Sequence, residues 1–420
     1  MRLQLGLIIG LVLALQLYAQ RPIPSGSVPA KGSDLSVTDR LVVASRIYAL
    51  VQQYFAHWDG VPRPNVEASY REYVDQLVGA GDRKAFDLAT LRFIASLRNG
   101  HTQFFDAELD GRPLKFWLLQ VQNEWVIVDS QDNRLPRGAV VRTLNGKPVD
   151  DVVSELAQYV AASNERLART HVFSYPGLFP ENISIGLQNG DVVVVNRAVP
   201  GDAGPAPTAN VSQGRWLSEG RLAYIRIPAF GDPAYERTAI ELVRQFGSAP
   251  SLIVDVRGNG GGTTPGQLIE TLMNRPWRTW QQTTPQSIAL LEAQGIPPLQ
   301  ASRDSRQQLP SKDAYTGRVF LLVDRFCGSA CEDFVMPFKD TGRGLVIGET
   351  TQGSSGNPYR AELGNGMRVA IGAVRYAFPN GTPFEGVGIV PDISIDIRPS
   401  DIVNSRDPVL ERAQKLASAP

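Results

Sequence analysis

Apolar residues in the first quarter of the chain recur every three or four positions, a spacing typical of amphipathic helices. Three such stretches follow one another between residues 37 and 97. Their apolar positions are Leu41, Ala44, Ile47, Leu50, Val51 and Phe55, then Tyr70, Tyr73 and Leu77, and finally Leu88, Leu91, Ile94 and Leu97. This periodicity predicts a small N-terminal helical domain, which we place at residues 37–108.

The pattern then changes to short apolar runs of strand length, interrupted by one helical segment near residues 152–160. An Asn145–Gly146 pair indicates a tight hairpin turn. A stretch rich in proline and glycine at residues 200–207 indicates a linker. We therefore predict a β-rich module over residues 109–200, with strands at 116–119, 125–128, 139–144, 183–187 and 192–195.

Strands alternate with helical segments through the next two hundred residues. Such alternation is typical of βαβ units on a mostly parallel sheet, so we predict an α/β domain at 209–400. Residues 278–312 are less regular and are expected to form a loop or cap. The last segment, 401–420, is expected to be a tail or helix. Predicted strands lie at 223–227, 252–256, 319–323 and 345–347, and predicted helices at 235–246, at 266–273 and after Ser329.

The first 19 residues carry one positive charge and a long apolar run, the pattern of a secretory signal peptide. Residues 20–36, rich in proline, glycine and serine, are expected to be a flexible leader. We therefore expect a periplasmic or extracellular protein, with no membrane-spanning segment once the signal is removed. The alternative is an uncleaved membrane anchor, although the apolar run falls short of the ~20 residues that span a bilayer. The 42 basic and 42 acidic residues cancel and form no basic stripe, which excludes nucleic acid as a partner.

The chain has two cysteines, Cys327 and Cys331, four residues apart. Two cysteines are too few for a disulfide framework. Because disulfide geometry is strict, we expect two buried free thiols, with a bridge as the alternative.

Ser329 lies between these cysteines, at the predicted junction of a buried strand and a helix. A turn of this kind exposes a serine hydroxyl and points the free N–H groups of the helix start toward whatever that hydroxyl attacks. Ser329 is therefore a candidate nucleophile. The alternative is an ordinary helix N-cap, a position that serine also favours.

A second motif follows the strand predicted at 252–256, where Gly258, Gly260, Gly261 and Gly262 fall within five residues. The Walker lysine and the dinucleotide fingerprint are both missing, which speaks against a phosphate loop. A glycine N–H from Gly260 or Gly261, together with the N–H of Ala330, suits an oxyanion hole. A simple tight turn remains the alternative.

A serine nucleophile needs a base, and the chain has three histidines. His57 lies within or at the end of a helix, and His171 in the strand-rich middle. His101 follows a predicted helix end in a Gly-His-Thr turn and is the best candidate. Glu385, a glutamate among glycines, could orient the imidazole, although an exposed loop acid is equally compatible with its surroundings. Metal catalysis has no supporting ligand spacing, so no cofactor is expected.

In their order and spacing, five short motifs resemble those of the tail-specific, or C-terminal processing, serine peptidase family. This resemblance covers residues 40 to 400. It implies a crotonase-like ββα core, close to the Clp-protease fold, with an N-terminal helical domain and a PDZ-like module. The motifs are Asn99-Gly100-His101-Thr102, the glycine loop after Asp255, Gly328-Ser329-Ala330-Cys331-Glu332, Gly348-Glu349-Thr350-Thr351, and the stretch from Glu385 to Asp392.

One departure from the family's pattern indicates which of its branches this chain is similar to. The C-terminal processing branch uses a Ser–Lys dyad, with the lysine in a Phe-Gly-Lys-Gly step. Here that step reads Gln352-Gly353-Ser354-Ser355, so the lysine is absent. The chain is instead similar to the tricorn-like branch, whose base is a histidine in the Gly-His-Thr turn.

Carried over by motif, the resemblance implies that Ser329 is the nucleophile, His101 the general base and Glu385 a group that orients or polarises the site. Gly260 or Gly261 with Ala330 would form the oxyanion hole. Tricorn has a serine before the histidine, where this chain has Gly100.

These observations predict an exported serine peptidase that forms an acyl-enzyme on peptide or unfolded protein substrates. A non-catalytic binding protein is an alternative, because the fold also resembles the modules of interphotoreceptor retinoid-binding protein. A hydrolase of small esters is a further alternative.

Overall fold

The computed structural model describes residues 34–109, 112–198, 211–295 and 305–418. The expected signal peptide, nearly all of the expected leader and the expected linker lie outside these residues. No helix in the described part of the chain is both long enough and apolar enough to cross a bilayer.

Three helices form the N-terminal part: α1 (Val37–Tyr54), α2 (Arg63–Gly79) and α3 (Arg83–Ser96). The side chains of Ser36 and Asp82 cap α1 and α3 by accepting backbone N–H groups. The apolar stripes meet in one core, in which Ile47, Leu77 and Ile94 are fully buried. The predicted helices are confirmed.

A short strand then ties these helices to the C-terminal half of the chain. Strand β1 (Gln103–Asp106) pairs antiparallel with a strand more than 260 residues later, Met367–Ile371, which in turn pairs with Tyr359–Gly364. Because β1 follows residue 101 directly, this pairing fixes where the Gly-His-Thr turn lies.

The middle of the chain forms an antiparallel sheet in the order β2-β3-β4-β6-β7. Asn145 and Gly146 both have positive φ, 50° and 78°, as expected for the predicted hairpin turn. Helix α4 (Val149–Ala157) begins and ends three residues earlier than predicted. The strands are β2 (Phe116–Val121), β3 (Glu124–Ser130), β4 (Val140–Leu144), β5 (Lys147–Pro148), which pairs with β4, β6 (Asn182–Leu187) and β7 (Val192–Asn196).

A second helix in this part, α5 (Glu165–His171), was not predicted. It is short and mostly polar, and only Leu167 is buried, so it carries no apolar periodicity. His171 therefore ends a helix and does not lie among strands. The Asn164 side chain caps the helix start by accepting from the Leu167 N–H.

The C-terminal half is built on a six-stranded sheet in the order β19-β15-β14-β10-β9-β8. All its pairs are parallel except the edge pair of β8 with β9, which confirms the predicted mixed α/β fold. The strands are β8 (Gln213–Ser218), β9 (Leu222–Arg226), β10 (Ser251–Asp255), β14 (Arg318–Val323), β15 (Gly344–Gly348) and β19 (Ile393–Ser394).

Helices cover both faces of this sheet. On one face pack α6 (Pro233–Gln245), α7 (Gly266–Leu272) and α9 (Ala330–Thr341). On the other face lies α11 (Pro408–Ala417), whose Val409 and Ala413 are buried against strand residues. The segment after residue 400, predicted as a tail or helix, is thus part of the sheet's hydrophobic core. Helix α10 (Pro399–Val403) leads into it.

The segment 278–312, predicted as a loop or cap, contains regular structure in its described part. Its strands are only two or three residues long, too short to show a period-two pattern. They are β11 (Trp277–Arg278), β12 (Gln281–Thr283) and β13 (Gln307–Gln308), with α8 (Pro285–Ala293) between them; β16 (Tyr359–Gly364), β17 (Met367–Ile371) and β18 (Arg375–Ala377) complete the strands.

Candidate active site

Ser329 lies at the predicted strand-to-helix turn, between β14 and α9. Its backbone has φ +54° and ψ −125°, an uncommon conformation for a residue other than glycine. The Asp324 carboxylate helps to form the turn by accepting the N–H groups of Gly258, Phe326 and Cys327 at 2.9 to 3.1 Å. The serine is thus held in a sharp, strained turn that points its hydroxyl away from the sheet.

Cys327 and Cys331 form a disulfide bond, so the expectation of two free thiols was wrong. Both residues are fully buried. Their Cα atoms lie 5.4 Å apart, within the usual range for disulfides, because the turn at Gly328 and Ser329 folds directly into the first turn of α9. The bridge closes a five-residue ring with Ser329 at its centre.

His101 reaches Ser329 although 228 residues separate them in sequence. Its Nε2 lies 3.0 Å from the Ser329 Oγ, within hydrogen-bonding distance. Burial, helped by the nearby positive charge of Arg360, lowers the pKa of His101 to about 4. The imidazole is therefore neutral at pH 7 and can accept a proton.

The second nitrogen of the imidazole contacts a residue that the sequence did not single out. His101 Nδ1 lies 3.0 Å from the Oγ of Ser354, a residue in the loop after β15. Ser354 is buried, and its carbonyl accepts the N–H of Ser329 at 2.9 Å. Ser354 occupies the position that the lysine has in the Phe-Gly-Lys-Gly step. This replacement is the feature of the sequence that could have pointed to Ser354.

The contact with Ser354 also explains why residue 100 is glycine. A Cβ atom on Gly100 would lie 2.6 Å from the Ser354 Oγ, closer than real Cβ contacts allow. The Ser354 hydroxyl therefore fills the space that a side chain at position 100 would need.

Glu385 lies behind the Gly-His-Thr turn and has no hydrogen bond to the imidazole among the described contacts. Its Oε1 accepts from Asn99 Nδ2 at 2.8 Å and from the Ser163 Oγ at 2.5 Å. Asn99 Oδ1 in turn accepts the His101 N–H, and the Ser163 Oγ accepts the Gly100 N–H. Glu385 thus supports the backbone on which the imidazole is mounted, and burial raises its pKa to about 8.

Glu332, in the first turn of α9, is a site residue whose role the sequence did not reveal. It is completely buried. Its Oε1 accepts from the Thr351 hydroxyl at 2.5 Å and from the Gly353 N–H at 2.7 Å. Its Oε2 accepts the N–H groups of Ser354 at 3.0 Å and Ser329 at 3.2 Å. One carboxyl group therefore joins the turn that carries Ser329 to the loop that carries Ser354, and burial raises its pKa to about 8.

The glycine loop, residues 258–262, packs directly against the turn that carries Ser329. A Cβ on Gly261, whose φ is +101°, would lie 2.7 Å from both the Gly328 carbonyl oxygen and the Ser329 Cβ. The Gly261 N–H donates to the Asn259 side chain at 2.9 Å. Gly260 lines the cleft that contains Ser329 and His101, while Ala330 is the first residue of α9.

The other two histidines have no hydrogen bond to Ser329 among the described contacts. His57 is buried, with its Nδ1 4.0 Å from the Glu385 Oε2, and burial lowers its pKa to about 3. His171 forms part of the cleft wall. Among the described residues, no cluster of histidine, cysteine and carboxylate side chains could hold a metal ion.

Comparison with known proteins supports this picture. Residues 221–395 match the model of peptidase family S41. The chain is 29% identical over 189 residues to the chloroplastic C-terminal processing peptidase of Tetradesmus obliquus, covering 43% of this chain and 37% of that protein. It is 30% identical over 206 residues to tricorn protease homolog 1 of Streptomyces coelicolor, covering 48% of this chain and 17% of that protein.

The fold is also found among solved structures. Mature CPAF in complex with lactacystin superposes with a TM-score of 0.72 at 15% identity, over 91% of this chain and 98% of that one. The chain spans well under half the length of the two curated relatives it matches. The turn that carries Ser329, the glycine loop and Glu385 all lie inside the segment of this chain that matches peptidase family S41.

Proposed function

We propose that this protein hydrolyses peptide bonds, with Ser329 as the nucleophile and His101 as the general base. The observation that carries the proposal is the 3.0 Å separation of the Ser329 Oγ and His101 Nε2 in an open cleft of about 740 Å³. A hydroxyl paired in this way with a neutral imidazole is activated for attack, which favours hydrolysis over simple binding. The test is hydrolysis of an unfolded protein by this chain and by its Ser329→Ala variant.

The reaction would proceed through an acyl-enzyme. The Ser329 Oγ attacks the carbonyl carbon of the scissile bond while its proton passes to His101 Nε2. As the tetrahedral intermediate collapses, the C–N bond breaks and His101 returns that proton to the leaving amine. A water molecule then gives a proton to His101 Nε2 while its oxygen attacks the ester carbon. As this second intermediate collapses, His101 returns the proton to the Ser329 Oγ and the acid is released.

The oxyanion of the intermediate would be held by the N–H groups of Ala330 and Gly260. Ala330 begins α9, where backbone N–H groups have no helical partner and the helix dipole is positive. Of the two glycines that the sequence offered, Gly261 already donates its N–H to Asn259. Gly260 is the glycine that lines the cleft, so it is the better candidate.

Ser354 would fix the orientation of the base. With Nε2 accepting the Ser329 proton, the Nδ1 atom carries hydrogen and donates to the Ser354 Oγ. Glu385 would contribute one step further away, by holding the backbone of Gly100 and His101 through Ser163 and Asn99. In this arrangement Ser354 selects the tautomer of His101, and Glu385 fixes the position of the Gly-His-Thr turn.

Replacing Ser354 with alanine should lower kcat by about 10- to 100-fold, because a loosely held imidazole spends less time aligned with the nucleophile. The acid limb of the pH profile should shift as well, since Nδ1 loses its acceptor. Ser355→Ala is a matched control, because Ser355 is also buried but its hydroxyl donates to Asp333. Equal losses in the two variants, or wild-type kinetics in Ser354→Ala, would contradict this role.

The pH dependence follows from the low pKa of His101. Because its pKa is about 4, below the usual 6.5, the imidazole is in its basic form at every higher pH. We expect kcat/KM for a fluorogenic peptide to rise through a limb near pH 4 and to be level by about pH 6. Glu332 and Glu385, with pKa values of about 8, titrate on the alkaline side of this limb. A limb centred near pH 6.5 in a protein that stays folded would refute the expectation.

We further infer that residues 109–200 form a PDZ-like module that captures extended polypeptide, and that residues 209–400 form a crotonase-like core. The module is joined to the site region by hydrogen bonds. Arg325 donates to the Gln120 carbonyl, and Asn164 donates to the carbonyls of Gln352 and Gly386. The β2 strand is an edge of its sheet, where an added peptide strand could pair. The apolar run in residues 1–19 supports export to the periplasm or beyond.

A further inference from the structure

A second cavity opens from the wall of the active-site cleft. It has a volume of about 300 Å³, within the range of small-molecule and side-chain pockets. Both the cleft and this cavity are lined by Gly100, Gln103, Phe105, His171 and Gln352, so the two spaces adjoin. We call the cavity the side pocket.

The walls of the side pocket are more apolar than polar and come from four separate parts of the chain. Helix α3, the segment around β1, the segment from residue 161 to 178 that contains α5, and Gln352 each contribute. The side chains that matter most are Leu91, Phe104, Leu109, Leu167, Tyr175 and Leu178.

The polar groups in these walls are neutral or already paired. Tyr175 forms a hydrogen bond with the backbone of Ala161, and burial raises the pKa of Tyr175 to about 12. Burial lowers the pKa of His171, which keeps its imidazole neutral. Gln103 Nε2 donates to the Gly100 carbonyl at 2.7 Å, and Asp106 pairs with Arg83. A charged side chain entering the side pocket would lose its hydration and meet no unpaired opposite charge among these groups.

The far wall of the side pocket is sealed by backbone. A Cβ on Gly177 would lie 1.7 Å from the Leu109 carbonyl oxygen, so the two main chains are in direct contact there. The shape therefore suits a single side chain entering from the cleft.

The position of the base indicates which residue of a substrate faces the side pocket. His101 must return its proton to the leaving amine, so the residue that begins with that amine lies over the imidazole. Gly100, the neighbour of His101, is part of the side-pocket wall. The oxyanion donors, Ala330 and Gly260, do not line this pocket, as the acyl half of the substrate requires.

We propose that the side pocket selects a large apolar side chain, such as that of Phe, Leu or Met, at the substrate residue immediately after the scissile bond. This proposal rests on the peptidase function proposed above. It assigns the substrate class as peptides with such a residue on the leaving side, and it assigns the selection to the pocket walls around Ala161 and Leu178.

The test is to digest a library of peptides with the wild-type chain and to sequence the products by mass spectrometry. Large apolar residues should be enriched directly after the cleaved bond. Ala161→Phe, which fills the side pocket, should lower the ratio of kcat/KM for Phe over Ala at this position by about 10-fold or more. Leu178→Ala, which widens the pocket, should shift the preference toward Trp and Tyr.

Leu290→Ala is the matched control, because Leu290 is exposed on α8 outside the pocket and its replacement should leave the preference unchanged. Thermal unfolding of each variant shows whether it folds. If Ala161→Phe does not fold, Leu178→Ala provides the test. Cleavage by the wild-type chain without an apolar preference after the bond would overturn the inference while the peptidase function stands. So would a preference in both pocket variants that equals that of the wild-type chain. Absence of any cleavage by the folded wild-type chain would overturn the function itself.

Discussion

Replacing Ser329 with alanine is expected to reduce kcat/KM for peptide hydrolysis by about 10⁴-fold or more, because the attacking atom is removed. His101→Gln should cause a loss of similar size, since the hydroxyl then has no proton acceptor. In the proposed mechanism Ser329 and His101 act as a unit through their 3.0 Å contact. The double variant should therefore be no worse than the more damaging single variant.

The measurement is kcat/KM for a fluorogenic peptide with all three variants. Ser45→Ala serves as a control, because its hydroxyl bonds only the local Val42 carbonyl on the exposed side of α1. Losses that multiply in the double variant, or more than about a tenth of wild-type activity in His101→Gln, would show that the two residues do not work together.

Replacing Glu332 with alanine is expected to cost about 3 to 5 kcal/mol of unfolding free energy, a severe loss for one side chain. Its carboxylate accepts four hydrogen bonds in a place without solvent access. Without it, the N–H groups of Gly353 and Ser354 are left buried and unpaired, and the Ser329 N–H keeps only its hydrogen bond to the Ser354 carbonyl. Activity should fall as well, because these donors hold both the nucleophile and the residue that orients the base.

Chemical denaturation followed by circular dichroism measures this loss of stability. Glu67→Ala is the matched control, because Glu67 is an exposed glutamate in α2 and its removal should change stability little. A Glu332→Ala protein as stable as the control would mean that the buried network does not hold the two segments together.

The turns that carry Ser329 and His101 could be predicted because local sequence determines each of them. Ser329 follows a continuous apolar strand, and the Gly-His-Thr turn follows a helix whose apolar period is clear. The α/β alternation likewise predicted the sheet, because each strand and helix carries its own periodicity.

The parts that escaped prediction depend on contacts between distant segments. Ser354 lies in a loop without periodic structure, and its importance depends on where β1 and β17 hold the imidazole. The burial of Glu332 could not be predicted from the sequence, because it is the loop after β15 that covers this part of helix α9. The disulfide was missed because the spacing of Cys327 and Cys331 becomes favourable only once the turn at Ser329 has folded.

Activation of Ser329 by His101 is tested most directly by a fluorophosphonate probe, followed by peptide mapping of the modified residue. The wild-type chain should carry one adduct, on Ser329, and the labelling rate should fall by about 100-fold or more in His101→Gln. A folded wild-type protein that never labels, or a Ser329 adduct that forms equally fast without His101, would contradict the proposed mechanism.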